Sequence, residues 1–128
     1  MRYVSIFIIG VGLLVGCSRA DAQQAVYHKL SAAEAHKMMS ETKDFVLLDV
    51  RTPGEYKEKR IPGATLIPDY ELKDRAAKEL PDKTKVIFVY CRSGARSNGA
   101  SRALVSLGYV NVYDIGGIMN WPYETVSG

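Results

Sequence analysis

The strongest constraint on this chain lies between residues 85 and 115. Lys85-Val86-Ile87-Phe88-Val89-Tyr90 is β-branched and aromatic, the pattern of a strand. A short loop, Cys91-Arg92-Ser93-Gly94-Ala95-Arg96, follows it. Ser97 to Leu107 then reads as a helix, with Ala100, Ala103, Leu104 and Leu107 in an i, i+3, i+4, i+7 stripe and Gly108 at its end. Asn111 to Ile115 reads as another strand, closed by Gly116-Gly117. A strand, a tight loop, a helix and a further strand make a crossover unit, and such units build parallel sheets.

The upstream chain repeats this alternation. Ser31 and Glu34 fit a capping box, with Leu30 and Ala35 as its staple, opening a helix that runs to about Met39. Ala35, Met38 and Met39 share one face. Phe45-Val46-Leu47-Leu48 is a short continuous apolar run, as expected of a strand covered on both faces, and Asp49-Val50-Arg51 closes it. Thr52-Pro53-Gly54 is a turn or the start of a short helix, and Ile61-Pro62-Gly63-Ala64 is a second break. Thr65-Leu66-Ile67 is a candidate short strand. Pro68-Asp69 begins a helix with Leu72, Ala76 and Leu80 on one side and Pro81 after it. The expected fold is a single α/β domain over 27–128, with a mainly parallel central sheet and helices on both faces. No internal repeat or second domain is visible in 128 residues.

The first residues have a different character. Met1-Arg2 is followed by an uncharged stretch, Tyr3 to Gly16, too short for a comfortable membrane span. It ends Leu14-Val15-Gly16-Cys17, and a small residue before Cys resembles the cleavage site of bacterial lipoprotein signals. That resemblance implies a signal over 1–16, a lipid on Cys17 and a small, polar tether over 17–26. The alternative is a plain signal peptide cleaved near Ala20 or Ala22. With Cys17 lipidated, Cys91 is the remaining free thiol, and an unpaired Cys in an exported protein is intermolecular or reactive. A periplasm-facing, lipid-anchored protein of the bacterial envelope is the expectation, soluble in the periplasm if the lipid is absent.

Charge narrows the choice of partner. Lys plus Arg number 17 and Asp plus Glu 14, a net +3 with no basic block or stripe, so nucleic acid is not expected. Mild basicity suits a small anionic substrate. His28 and His36 read as surface groups, and no metal-ligand spacing occurs, so no metal and no cofactor are implied.

Chemistry concentrates in the loop 91–96. In open α/β sheets, ligands bind beyond the carboxyl ends of the strands. The backbone amides there, the helix N-terminus and the charges of Arg92 and Arg96 favour a thiolate at Cys91 and an anion delivered to it, and Gly94 permits a positive φ. Such a thiol must also be open to its donor. The opposing reading is an inert buried Cys in a strand-to-helix turn. Cys-x5-Arg phosphatases use a similar loop, but Arg96 makes this one Cys-x4-Arg, a tighter ring that suits a single terminal sulfur better than a tetrahedral oxyanion.

The chain resembles the rhodanese family, specifically its small single-domain sulfurtransferases. Cys91 to Ser97 is similar to that family's active-site loop. Asp49-Val50-Arg51 with Glu55-Tyr56, then Ile61-Pro62-Gly63-Ala64, then Gly116-Gly117 with Trp121, are similar to its other signatures, in family order. Where family members often carry Gly-His, this chain has Lys59-Arg60. The resemblance implies a thiosulfate sulfurtransferase. Cys91 would carry sulfur as a persulfide from thiosulfate or a related anionic donor to cyanide or a thiol. Arg92, Ser93, Gly94, Ala95 and Arg96 would bind the donor, with Arg92 and Arg96 neutralising its charge. Asp49, Arg51 and Glu55 would shape the site: Asp49 pairs with Arg51 or caps loop amides, and Glu55 clamps the next turn. A monomer is expected, touching membrane only through its N-terminal lipid. The alternatives are a persulfide carrier for a protein partner, an arsenate or phosphate enzyme, and an interaction domain that does not use Cys91.

Overall fold

The computed structural model describes residues 26–128. The expected signal over 1–16, Cys17 and nearly all of the tether lie outside the described residues. Among those described, no helix is long and apolar enough to cross a membrane.

Five strands form one sheet: β1 (His28–Lys29), β2 (Phe45–Asp49), β3 (Thr65–Leu66), β4 (Val86–Cys91) and β5 (Val112–Gly117). Their order across the sheet is β1-β5-β4-β2-β3, and every pairing is parallel. Four α-helices intervene: α1 (Ala32–Glu41), α2 (Pro53–Glu58), α3 (Leu72–Glu79) and α4 (Ala95–Ser106). Short 3-10 turns at Asp69–Glu71 and Ile118–Asn120 complete the described chain.

The strands at the centre are covered on both faces, which is why their sequences are apolar at consecutive positions. Leu48, Ile87, Val89, Cys91 and Val112 face Leu72 and Ala76 of α3 and Ala100 and Leu104 of α4. Leu47, Phe88, Tyr90 and Ile115 face the other way, toward Ala35 of α1 and the aliphatic side chains of Ile61 and Ile118. The capping box expected at Ser31 is present, with Ser31 and Glu34 exchanging side-chain and backbone bonds of 3.1 and 2.8 Å. The helix it opens ends at Glu41, two residues past the expected Met39.

The central register carries an irregularity where it meets the loop. Val89 pairs with Asp114, but the next matched pair is Cys91 with Gly117, so β5 uses one residue more than β4. The extra residue is accommodated near Gly116, whose φ is 86°. This bulge carries the end of β5 over the start of the loop that follows β4.

Candidate active site

Two helices begin at the carboxyl edge of the sheet, and their first turns build the site. Helix α4 starts at Gly94, a cap with φ 110° and no side chain to accept an amide. The sulfur of Cys91 takes that part. Its Sγ accepts hydrogen bonds from the Gly94 amide at 3.0 Å and the Ser97 amide, in the first turn of α4, at 3.3 Å. A side-chain acceptor at this place normally satisfies an orphan amide and meets the positive end of the helix dipole.

Helix α2 starts at Thr52, a boundary the sequence left open between turn and helix. Thr52 and Glu55 form a second capping box, with Glu55 Oε1 accepting from the Thr52 amide at 3.0 Å. The same carboxylate accepts both guanidinium N–H groups of Arg96, at 2.9 Å each. Glu55 thus ties the start of α2 to the start of α4. The bidentate hydrogen bonds from Arg96 pull the Glu55 carboxyl down to about 2 against the opposing effect of burial, and Glu55 in turn raises the Arg96 guanidinium.

Asp49 and Arg51 form a buried pair at the end of β2, 0% and 4% exposed. Asp49 accepts from the Arg51 amide and from its Nε and Nη2, between 2.7 and 3.1 Å. Burial works against the Arg51 charge, but the Asp49 bonds and charge outweigh it and hold the guanidinium above its ordinary value. Arg51 Nη2 also donates to the Lys59 carbonyl at 2.6 Å, which fixes the backbone after α2. Of the two alternatives for Asp49, the pairing with Arg51 is the one observed.

The residues named from sequence converge at this edge, but in unequal roles. Arg96 faces Glu55, whereas Arg92 and Ser93 lie exposed on the outside of the loop. Cys91 departs from the open thiol that the chemistry calls for: it is 0% exposed. The loop wraps it because Gly117 lets β5 lie directly on the backbone of Arg92 and Ser93, and the Met119 amide donates to the Arg92 carbonyl at 3.1 Å.

Sequence reasoning missed two contributors. Ser97 supplies the second amide to the sulfur, and its hydroxyl lies 2.7 Å from the buried Asp114 carboxylate. Asp114 also accepts from the Gly116 amide at 3.0 Å, so it braces both the helix start and the bulge. An acid near the end of an apolar strand was the available signal, since Asp49 stands the same way at the end of β2.

A parallel α/β domain whose lone described cysteine accepts two amides at the start of a helix belongs to the class of α/β domains that present a cysteine loop at the carboxyl edge of the sheet. Comparison with known proteins narrows this class. The family model "Rhodanese-like domain" matches residues 31–123, and the chain belongs to the rhodanese-like family. It is similar to the thiosulfate sulfurtransferase PspE of Escherichia coli, 37% identical over 63% of this chain and 78% of that one. It is also similar to a sulfurtransferase of Allochromatium vinosum, 35% identical over 73% and 87% of the two chains. Among solved structures, an Escherichia coli rhodanese with anions matches at a TM-score of 0.61 and 36% identity, covering 65% of this chain and 98% of its own. A rhodanese-like domain from Anabaena matches at a TM-score of 0.71 and 28% identity, covering 78% and 79%.

Proposed function

We propose that this protein is a thiosulfate sulfurtransferase that carries sulfur as a persulfide on Cys91. The observation that supports it best is the pair of amides, Gly94 and Ser97, aimed at Sγ from the start of α4. They provide fixed dipoles for negative charge on that sulfur before and after transfer. The named activities of the similar sulfurtransferases point the same way.

In the first half-reaction the Cys91 thiolate attacks the outer sulfur of thiosulfate. A bond forms between the two sulfurs, the bond to the sulfonate sulfur breaks, and its electron pair leaves with sulfite. Cys91 is left as a persulfide anion. In the second half-reaction cyanide or a thiolate attacks the terminal sulfur, and the electron pair returns to Cys91. Thiocyanate or a new persulfide leaves, and no net proton or electron is required from outside. Because Cys91 is 0% exposed, a donor reaches Sγ through a local opening beside the loop, with the Gly94 and Ser97 amides kept on the sulfur. The test is formation of thiocyanate from thiosulfate and cyanide. Wild type turns over, whereas Cys91→Ser and Cys91→Ala do not. Equal rates in all three proteins would remove Cys91 from the chemistry.

The burial of Cys91 favours one second reading, a persulfide carrier that unloads onto a protein partner. A carrier takes up one sulfur per chain but turns over slowly with cyanide. For location, we propose a lipid on Cys17 and a periplasm-facing monomer. Radioactive fatty acid labels wild type and spares Cys17→Ser if this holds, and an unlabelled wild type refutes the anchor.

A further inference from the structure

Beside the loop, on the Arg92 side, lies a hollow of about 300 Å³. Arg51, Glu55, Glu58, Lys59, Arg92 and Met119 line it. Two of its charges are already committed, since Arg51 is held by Asp49 and Glu55 by Arg96. Lys59 and Arg92 are exposed, and their side chains have no ion pair or hydrogen bond among the described residues. Glu58 is the one acid left to oppose them. The hollow therefore has a surplus of positive charge, on the two side chains free to use it.

Lys59 is also held in place from below. Its carbonyl accepts from Arg51, which Asp49 locks, and the next residue, Arg60, pairs with Val126 through both backbone groups at 2.8 Å. The base of the side chain is thus anchored while its ammonium remains free. Arg96, by contrast, already has two N–H groups and its charge engaged by the Glu55 carboxylate.

We infer that Lys59 and Arg92 form the subsite for the sulfonate end of the donor, and that Arg96 is a positioning residue that holds the loop through Glu55. This rests on the sulfurtransferase reading for its substrate, but not for its test. In the first half-reaction sulfite, the leaving group, departs into this hollow with its charge opposed by Lys59 and Arg92. Lys59 then sets specificity: it favours donors with a sulfonate or similar anionic group over neutral persulfides.

The test measures binding without transfer. Thiosulfate is titrated by NMR into Cys91→Ser, which has no thiol to load, in the background of the full protein. Adding Lys59→Ala weakens binding about 5-fold, and Lys59→Glu weakens it more, as expected for a solvent-screened charge acting on an anion. Glu58→Gln strengthens binding, and Lys78→Ala, which removes the same charge away from the hollow, leaves it unchanged. Sulfate titrated into wild type and Lys59→Ala repeats the comparison should Cys91→Ser fold poorly. Equal affinity in the Lys59 variants, loss shared by Lys78→Ala, or no saturable binding at all would overturn the subsite. Persulfide loading of wild type is measured separately. Loading without dependence of binding on Lys59 refutes the subsite alone, and Lys59-dependent binding without loading refutes the transfer chemistry alone.

Discussion

Replacing Gly117 by Ala places a methyl group where the structure has none to spare. Its carbon would lie 2.1 Å from the Arg92 carbonyl oxygen and 2.6 Å from both the Arg92 carbonyl carbon and the Ser93 Cα. All three are backbone atoms, so no side chain can swing aside. Reaching a tolerable carbon–oxygen contact of roughly 3.2 Å requires the loop to retreat by about 1 Å. That retreat acts on two weak tethers: the Met119 amide bond to the Arg92 carbonyl, now 3.1 Å, and the Gly94 amide bond to Sγ, now 3.0 Å. Overpacking of this sort costs about 1–3 kcal/mol, and the lost hydrogen bonds add about 1 kcal/mol. Gly117→Ala should therefore unfold about 2–4 kcal/mol more easily in urea, with its m-value unchanged. It should also lose most sulfur transfer, because the amides no longer converge on the sulfur. Gly99→Ala is the matched control. Nothing lies within 4 Å of the added carbon, and the position is inside α4, so that variant should gain about 0.5–1 kcal/mol. A Gly117→Ala protein within about 0.5 kcal/mol of wild type, with normal turnover, would show that the loop does not depend on this contact.

Other expectations follow from single contacts. Glu55→Gln should destabilise by about 1–2 kcal/mol near neutral pH, a figure reduced for solvent screening because both partners are partly exposed. Glu55 titrates near 2 in the fold and at 4.5 unperturbed, so its contribution is present above 4.5 and fades as pH falls toward 2. The gap between Glu55→Gln and wild type in denaturant should close over that range, and a gap independent of pH would contradict the ion pair. Tyr90→Phe deprives the buried Ile61 amide of its acceptor, the Tyr90 hydroxyl at 3.1 Å, and should cost about 1–3 kcal/mol by thermal unfolding. Ser101 carries a buried hydroxyl without a partner among the described residues, so Ser101→Ala should be neutral or stabilising by up to about 1 kcal/mol, and a clear loss of stability would reveal an unseen partner.

The fold was legible where pattern and period are strong. The apolar runs of β2 and β4 and the stripes of α3 and α4 follow from burial on both sheet faces, which is a property of consecutive residues. Strand β1 was not legible: His28–Lys29 is two exposed residues, placed by pairing with β5 and not by any pattern of their own. Helix α2 carried its signal in Thr52 and Glu55, whose spacing matches the box seen at Ser31 and Glu34. The pairing of Asp49 with Arg51, two residues apart, was open to local reasoning. The clamp between Glu55 and Arg96, 41 residues apart, was not, so the sequence showed the Arg96 charge without the carboxylate that holds it. Nor does any local rule reveal that Gly117 packs on Arg92, or that this contact closes the loop over Cys91.

Intact mass of the protein after incubation with thiosulfate asks directly whether a sulfur with no exposed surface can still take on another. Wild type should gain the mass of one sulfur atom and lose it again on addition of cyanide, while Cys91→Ala gains nothing. A wild-type mass that never changes, or a sulfur that appears equally on Cys91→Ala, would contradict the assignment of the chemistry to this loop.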